Sequence, residues 1–426
     1  MPVYTDDRVR WFVRRADERI AADPDTEKSG LFNGNVAVSD PDLGEEVNVR
    51  RPLPVGEREP MAWRTCYQEG EIYQALAGRF TNIPVTYYAA ADGSVLLQRY
   101  ETDVGRLPPS GTALPDRIAD EMVDIWHRLQ SIPLREPSGL MPPDFVRYLA
   151  SQDPNASVAV PKTADEYRRL HLAEMEATVG LLHLRWDGLL PALGLTLDPA
   201  APARDAVSRM RDGSLRPAYP DMHRSNVGIK DGHAFLWDPE LVGWHDPHDA
   251  LATSVEWGLS PADQRQRMVH RAQTIASPEV AANLRWNVPH WETFRKMFLP
   301  LKQTVRLASR CAHMNRSEAL RHIEQSSLYM TGRINRAREI LGTGEMAREQ
   351  FVETCEAKIL PAVEQRRALG VAALGMGPLW SAPSVFDVPP GWAERRNPQP
   401  SHATEPRAGG YGLTRAAALQ PGGARG

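Results

Sequence analysis

The chain has 426 residues, of which 42% are hydrophobic and 24% charged, and its formal net charge is −4. This composition is typical of a soluble globular enzyme. The length exceeds the roughly 250–300 residues at which single cores stop growing, so the chain can form two lobes with separate cores. The charge excludes nucleic acid as the main partner, because phosphate backbones need a basic face. No apolar leader and no run of about 18 apolar residues is present in this sequence, so we expect neither a signal peptide nor a membrane span.

The cysteines indicate the compartment. Cys66, Cys311 and Cys355 are odd in number, scattered and free of any CxxC spacing. This pattern excludes a disulfide framework and a zinc site and favours a reducing environment. We therefore expect a cytoplasmic protein.

The first hundred residues are predicted to form strands with one intervening helix. Residues 7–21 have helical spacing, and residues 29–34 are rich in turn formers. Alternating residues predict strands at 35–39 and 46–50, a helix over 62–79 follows, and Asp92-Gly93 is predicted to join two further strands at 84–90 and 94–100.

The remainder is predicted to be mainly helical. Residues 114–132 form a strongly amphipathic pattern, and Pro/Gly/Asp-rich loops break the later helices. Residues 227–230 and 234–237, joined by Asp231-Gly232, predict a short hairpin within this helical part. From residue 370 onward the Gly, Pro, Ala and Arg content predicts a disordered tail.

The segment that carries chemistry lies around this hairpin. Asp221 and Asn226 come directly before it, and Asp238 follows it. Phosphoryl transfer needs a carboxylate that orients the acceptor hydroxyl, oxygen ligands for Mg²⁺ and a cation on the phosphates. A hairpin that returns Asp238 to Asn226 supplies the first two requirements. Each residue alone would be an ordinary turn or surface residue, so the prediction depends on the set.

These residues resemble the aminoglycoside phosphotransferase family of the protein-kinase-like superfamily. The family pattern His-Gly-Asp-x-His-x-x-Asn, then Asp-x-Glu and a later Asp, is similar to Tyr219 through Asn226, Asp238 with Glu240, and Asp249. The resemblance implies that Asp221 is the catalytic base, that Asn226 and Asp238 are the Mg²⁺ ligands, and that Asp249 is structural. Two positions depart from the pattern: Tyr219 stands for its first His and Pro220 for its Gly.

The N-terminal half contains matching nucleotide-binding elements. Gly30-x-x-Asn33-Gly34 resembles the family's phosphate loop, and Arg50 takes the place of its phosphate-binding Lys, although adjacent Arg51 is an alternative. Glu69 matches the residue that pairs with this cation. Gln98, Arg99 and Tyr100 then fall at the hinge, where the nucleotide base binds.

The resemblance implies an α+β, two-lobed protein-kinase-like fold. The expected domains are a small antiparallel-sheet lobe at residues 1–100 and a larger, mainly helical lobe at 101–369, followed by the tail at 370–426. The expected activity is transfer of the γ-phosphate of ATP or GTP, with Mg²⁺, to a hydroxyl of a small molecule such as an amino sugar or antibiotic. The alternative is a nucleotide-binding pseudokinase that acts as a regulatory module. The sequence does not indicate the oligomeric state.

Overall fold

An antiparallel sheet forms from the strand-like residues of the first hundred positions. The computed structural model describes residues 4–23, 28–29, 33–52, 67–109, 111–142, 145–146, 149, 159–224, 226–257, 260–311, 314–361 and 364. Within these residues the sheet has five strands in the order β1-β2-β3-β5-β4. Their bounds are β1 Lys28–Ser29, β2 Asn33–Asp40, β3 Glu45–Pro52, β4 Thr86–Ala89 and β5 Leu96–Arg99. The four strands predicted from the sequence are therefore present as β2, β3, β4 and β5.

The first helix, α1 (Asp6–Ala22), covers one face of this sheet. Its Phe12 is fully buried together with Val47 and Val49 of β3 and Leu97 of β5. Successive residues of a strand point to opposite faces, so these apolar positions leave the intervening residues of β3 on the other face. The sheet thus has an apolar side under α1 and a polar side that faces the rest of the chain.

The helix expected over 62–79 is shorter in the described residues, where α2 spans Glu69–Leu76. Residues 62–66 lie outside the described part of the chain. The backbone N–H of Gln68 donates to the Glu71 carboxylate at 2.8 Å, which fixes the start of the helix at this point. After Leu76 the chain turns at Gly78, whose φ of 72° suits glycine.

The helical part begins with α3 (Asp116–Leu129), inside the predicted range 114–132. The later described helices are Ala164–Arg185, Leu189–Ala192, Ala201–Ser208, Pro247–Trp257, Ala262–Ile275, Pro278–Cys311, Arg316–Leu341 and Arg348–Lys358. The helix Pro278–Cys311 continues through Pro289 and Pro300, although proline removes a helical hydrogen bond. Of the helices in the described part of the chain, none combines the length and apolarity needed to cross a bilayer.

Two small sheets lie among the described residues of this helical part. The predicted hairpin is present as β8 (Val227–Lys230) and β9 (His233–Leu236), and β6 (Gly105–Arg106) pairs with β8. Asp231 and Gly232 form its turn with φ values of 52° and 76°, as a two-residue hairpin turn requires. The second sheet pairs β7 (Arg216–Ala218) with β10 (Gly243–His245).

The predicted α+β fold of two lobes is confirmed by this arrangement, with an antiparallel-sheet lobe before a mainly helical one. All described residues belong to one compact unit, Met1–Phe386. The boundary between the lobes at residue 100 stays a prediction. The predicted tail at 370–426 lies outside the described residues.

Candidate active site

Arg50 of β3 is the cation at the centre of the site. It follows the buried Val49, so it projects from the face of the sheet opposite α1. Its Nε lies 2.7 Å from Oε1 of Glu69 on α2, and its Nη2 lies 2.6 Å from Oδ1 of Asp238 and 2.5 Å from Oε2 of Glu240. Residues from both lobes therefore meet at one guanidinium.

The neighbouring Arg51 points to the other side of the strand. Its Nη1 lies 2.6 Å from Oδ1 of Asp17 on α1, and both side chains are partly exposed. The alternation of a strand separates the two arginines. Of this pair, only Arg50 reaches the carboxylates that the sequence grouped together.

The loop after β7 carries Asp221 and Asn226. Asn226 Nδ2 donates to Asp221 Oδ2 at 2.7 Å and to the Asp221 carbonyl oxygen at 3.1 Å. His223 Nε2 lies 3.3 Å from the other carboxylate oxygen of Asp221. The Asp221 carboxylate is thus held on both oxygens by its own loop, which fixes its orientation.

Tyr219 joins this loop to Asp238. Its ring is buried, its hydroxyl donates to the Asp238 carbonyl oxygen, and the same hydroxyl accepts from Asn226 Nδ2 at 3.1 Å. The hairpin adds a second connection, because the N–H of Trp237 donates to the Asn226 carbonyl oxygen at 2.9 Å. Tyr219 stands where the family pattern has His. Its hydroxyl therefore bonds both Asn226 of the loop and Asp238 after the hairpin.

Three carboxylates surround Arg50. Oxygen atoms of Glu69, Asp238 and Glu240 all lie within 4.8 Å of one another. Burial raises the pKa of the Glu240 carboxyl well above its ordinary value, and the charge of Asp238 beside it adds to this rise. Burial alone would lower the pKa of Arg50, but Asp238, Glu69 and Glu240 raise it, so the guanidinium stays charged.

The phosphate-loop residues predicted from the sequence are placed only in part. Gly30 lies outside the described residues. Asn33 and Gly34, expected in a turn, instead begin strand β2, where Gly34 lies opposite Arg51. The buried Asn33 donates from Nδ2 to Glu240, which extends the Arg50 cluster to the start of β2.

The predicted hinge residues lie at the end of β5. Gln98 is buried opposite Asn48 of β3, whereas Tyr100 is 45% exposed. The N–H of Arg99 donates to the Val85 carbonyl oxygen at 2.8 Å and the N–H of Tyr100 to the Glu46 carbonyl oxygen at 3.0 Å. These two donors are therefore engaged within the sheet.

Asp249 lies apart from this group in the helical core. Its fully buried carboxylate accepts from the Tyr167 hydroxyl at 2.7 Å and from Arg295 Nε at 2.7 Å. These bonds connect three helices, as a structural role requires. Asp246 is similarly engaged, since its oxygens accept from His248 N at 2.9 Å and Trp291 Nε1 at 3.0 Å.

The acidic residues at 165–176 form a sequence pattern that suits either a wall for a cationic acceptor or solvated helix faces, and in the structure Glu166 and Glu174 have other partners. Glu166 closes the N-terminus of the helix Ala164–Arg185 by accepting from the N–H of Thr163 at 3.2 Å. Glu174 is buried 2.6 Å from Lys302 Nζ. Helix capping thus accounts for Glu166, and ion pairing accounts for Glu174. Asp144 and Asp153 lie outside the described residues.

The sequence did not foresee the part taken by Glu240. A glutamate at this position of the Asp-x-Glu pattern could bond backbone or help a metal, and in the structure Glu240 bonds Arg50 and Asn33. The partners are 190 and 207 residues away along the chain. Only the Asp-x-Glu spacing pointed to Glu240.

Comparisons with known proteins find similarity to solved structures. No family model matches it, and no curated protein does. It is similar to a solved choline/ethanolamine kinase family protein from Mesorhizobium loti, with 13% identity, coverage of 81% of this chain and 99% of that chain, and a TM-score of 0.45. For a choline kinase from Streptococcus pneumoniae these values are 10%, 78%, 99% and 0.47. For an ADP-bound aminoglycoside phosphotransferase they are 12%, 76%, 92% and 0.35. The family that the motifs resemble is thus among the similar structures, as predicted.

Proposed function

We propose that this chain transfers the γ-phosphate of ATP or GTP to a hydroxyl of a small molecule. The observation that carries the proposal is the contact of Arg50 with both Glu69 of its own lobe and Asp238 of the other. This contact brings the cation of the sheet lobe to the hairpin that follows the Asp221 loop. Catalysis of phosphoryl transfer is mainly positioning and electrostatic stabilisation, and these groups suit that task.

In this proposal Asp221 is the catalytic base. Its carboxylate orients the acceptor hydroxyl and takes the proton as the hydroxyl oxygen bonds to the γ-phosphorus and the bond to the nucleoside diphosphate oxygen breaks. The Asn226 amide, 2.7 Å from Asp221 Oδ2, fixes the plane of the carboxylate for this contact. A positioned base of this kind typically contributes ~10²–10⁴-fold in rate.

The donor set fits Mg²⁺. Three carboxylates within 4.8 Å of one another face a single guanidinium, which leaves an excess of negative charge when all are ionised. Hard oxygen donors of this kind are what Mg²⁺ prefers. From this cluster we assign Asp238, together with Asn226, which the Tyr219 hydroxyl joins to the Asp238 backbone, as the residues that would hold the ion. When bound, it would supply positive charge to the phosphate oxygens.

Arg50 is the proposed phosphate-binding cation, and Glu69 positions it. Arginine offers a planar fork of donors and stays charged when buried, so it can replace lysine here. Gly30, Asn33 and Gly34 are proposed to lie along the phosphates, and Gln98, Arg99 and Tyr100 at the base. Because the N–H groups of Arg99 and Tyr100 already donate within the sheet, the base would use other groups of this segment.

The proposed acceptor is a hydroxyl-bearing small molecule such as an amino sugar or antibiotic. The test is consumption of ATP or GTP with Mg²⁺ against a panel of amino sugars, antibiotics, nucleosides and amino alcohols. Acceptor-dependent release of the nucleoside diphosphate, with a phosphorylated product seen by mass spectrometry, is expected. Tight Mg²⁺–nucleotide binding without turnover on any acceptor would instead favour the regulatory pseudokinase.

A further inference from the structure

The first part of the helix Pro278–Cys311 carries two opposite charges on one side. Arg285 and Glu292 are seven positions apart, which places them two turns and about 10 Å from each other along the helix axis. Val288 and Pro289 lie between them on the same side, because positions i, i+3, i+4 and i+7 share a face of a helix. A positive end and a negative end therefore flank a short apolar centre.

Neither charge is neutralised within the described part of the chain. Arg285 Nε donates to the side-chain oxygen of Gln273 at 2.7 Å, and no described carboxylate lies within ion-pair distance of its guanidinium. No described group forms a hydrogen bond or an ion pair with the Glu292 carboxylate. Charges on one helix pair at a spacing of three or four residues, so these two do not neutralise each other.

The surroundings of Glu292 favour a cation from outside the chain. Burial raises the pKa of its carboxyl, and the nearby charge of Glu256 adds to this rise. The charges of Arg265, Lys296 and Arg336 offset the rise only in part. Arg265 and Arg336 already bond the Glu256 carboxylate. A further positive group would therefore stabilise Glu292 in its charged form.

The same side of the helix borders a groove of about 1170 Å³. Its walls come from the helix Ala262–Ile275, from residues 285–292 and from Asp120 of α3. Val269 and Pro289 contribute apolar surface to the lining. The volume exceeds the roughly 300–1,000 Å³ of small-molecule sites, and a groove between two helices accepts the ridge of side chains on a third. A helix of another chain therefore suits this groove better than a small molecule.

Trp286 adds an exposed aromatic ring next to this side of the helix. The side chain is 44% exposed, although its Nε1 donates to the Arg209 carbonyl oxygen. Cζ of Arg211 lies 4.5 Å from the ring centroid. These contacts hold the ring in place without burying it. Tryptophan and arginine are enriched in protein interfaces, so the composition of this face is that of a protein–protein contact.

A second copy of this chain is the partner that matches the order of the charges. A two-fold axis places residue i of one copy against residue j of the other, and residue j against residue i. With the axis at Val288 and Pro289, two antiparallel copies of the helix bring Arg285 of each copy to Glu292 of the other. Both charges are then neutralised, once on each side of the axis. A parallel arrangement would place like charges together.

We propose that the chain forms a two-fold symmetric dimer in which the helix Pro278–Cys311 packs antiparallel against its copy, with Arg285 and Glu292 paired across the interface. The inference does not rest on the proposed function, because none of these residues is assigned to the acceptor, the nucleotide or the metal. Its test therefore uses no activity measurement.

The experiment is sedimentation equilibrium of the full chain from about 1 μM to about 1 mM, which measures the dissociation constant of the dimer. Glu292→Arg and Arg285→Glu each place like charges at both contacts and should raise this constant roughly 10- to 100-fold. The double variant Arg285→Glu/Glu292→Arg restores opposite charges and should dimerise like wild type. Glu353→Arg, at an exposed position of the helix Arg348–Lys358, is the matched control and should also dimerise like wild type.

Mixing the two single variants gives the sharpest result. Glu292→Arg has two positive ends and Arg285→Glu has two negative ends, so an equimolar mixture should form a heterodimer although each variant alone is mainly monomeric. Circular dichroism confirms that both variants are folded.

Three results would overturn the inference. The first is a wild-type chain that stays monomeric throughout the concentration series, which would leave the groove to an unlike partner. The second is a dimer that neither charge reversal weakens, which would assign the contact to another surface. The third is a loss of dimer that neither the double variant nor the mixture restores.

Discussion

Arg50 on β3 and Glu69 on α2 form an ion pair with 2.7 Å between Nε and Oε1, and their side chains are only 7% and 16% exposed. The same guanidinium contacts Asp238, which is 188 residues further along the chain. An arginine held by its own lobe thus reaches the hairpin that follows Asp221. The proposed reaction requires this connection, because the phosphates must lie between the two lobes.

Arg50→Met should destabilise the protein by about 3–5 kcal/mol, because it leaves buried carboxylates without their cation. Arg51→Met is the matched control, since it removes a partly exposed ion pair with Asp17 worth about 0–1 kcal/mol. Urea denaturation measures both, and Mg²⁺ should restore part of the stability lost in Arg50→Met. Equal, small losses in the two variants would contradict the central position of Arg50.

Asp238→Asn should abolish the dependence of nucleotide affinity on Mg²⁺, because a neutral amide is a poorer ligand for a hard cation than a carboxylate. Isothermal titration of ATP with and without Mg²⁺ measures this dependence. Asp103→Asn, which alters an exposed partner of Lys230, should behave as wild type. If Asp238→Asn still binds nucleotide more tightly with Mg²⁺ by the wild-type factor, Asp238 is not a metal ligand.

Tyr219→Phe should lower kcat while the protein remains folded. The change removes the hydroxyl that bonds the Asp238 carbonyl oxygen and Asn226, and a buried group left without its partner costs about 1–3 kcal/mol. Tyr219→His, which restores the residue of the family pattern and a donor, should keep more activity than Tyr219→Phe. Steady-state kinetics with circular dichroism as the folding control measures both. Equal kcat values in Tyr219→Phe and wild type would show that the hydroxyl does not position the site.

Mg²⁺–nucleotide affinity should increase with pH. Because the pKa of Glu240 is raised in the folded protein, its carboxyl holds a proton that a cation must displace. The folded state binds more protons at Glu240 than the unfolded state, so this residue's contribution to stability is present below its unfolded pKa of about 4.3. That contribution is lost as pH rises through the raised pKa of the folded state.

Glu240→Gln removes this titration while keeping an oxygen that accepts from Asn33 and Arg50. The increase of Mg²⁺–nucleotide affinity with pH should be smaller in the variant. The loss of stability as pH rises through the raised pKa of Glu240 should also be smaller. Titrations and denaturant unfolding at a series of pH values above 4 measure the two slopes. Unchanged slopes would assign the pH dependence to another group.

Local patterns predicted most of the secondary structure. The Asp231-Gly232 hairpin and α1 follow from turn chemistry and from helical periodicity, which depend on neighbouring residues alone. The start of α2 was placed too early, because the bond between the Gln68 N–H and Glu71 fixes it at Glu69. The helix Pro278–Cys311 also departs from what local pattern predicts. Proline alone predicts a break, but tertiary packing keeps this helix continuous through two prolines.

The candidate site was predicted as a set of residues, but its internal contacts were not. Arg50 and Arg51 are equivalent by composition, and only the positions of α1 and α2 on opposite faces of the sheet separate them. Glu240 and Asn33 come together across 207 residues, a contact that no local pattern encodes. The acidic residues at 165–176 could not be interpreted without their partners, of which Lys302 is the most distant in sequence.

The most direct test of the central claim is the single-turnover rate of phosphate transfer in Asp221→Asn, measured with an acceptor that wild type phosphorylates. We predict that the rate falls ~10²–10⁴-fold, while thermal stability and Mg²⁺–nucleotide affinity stay close to wild type. Asp205→Asn, an exposed aspartate on the helix Ala201–Ser208, is the matched control. A wild-type transfer rate in Asp221→Asn would contradict the account.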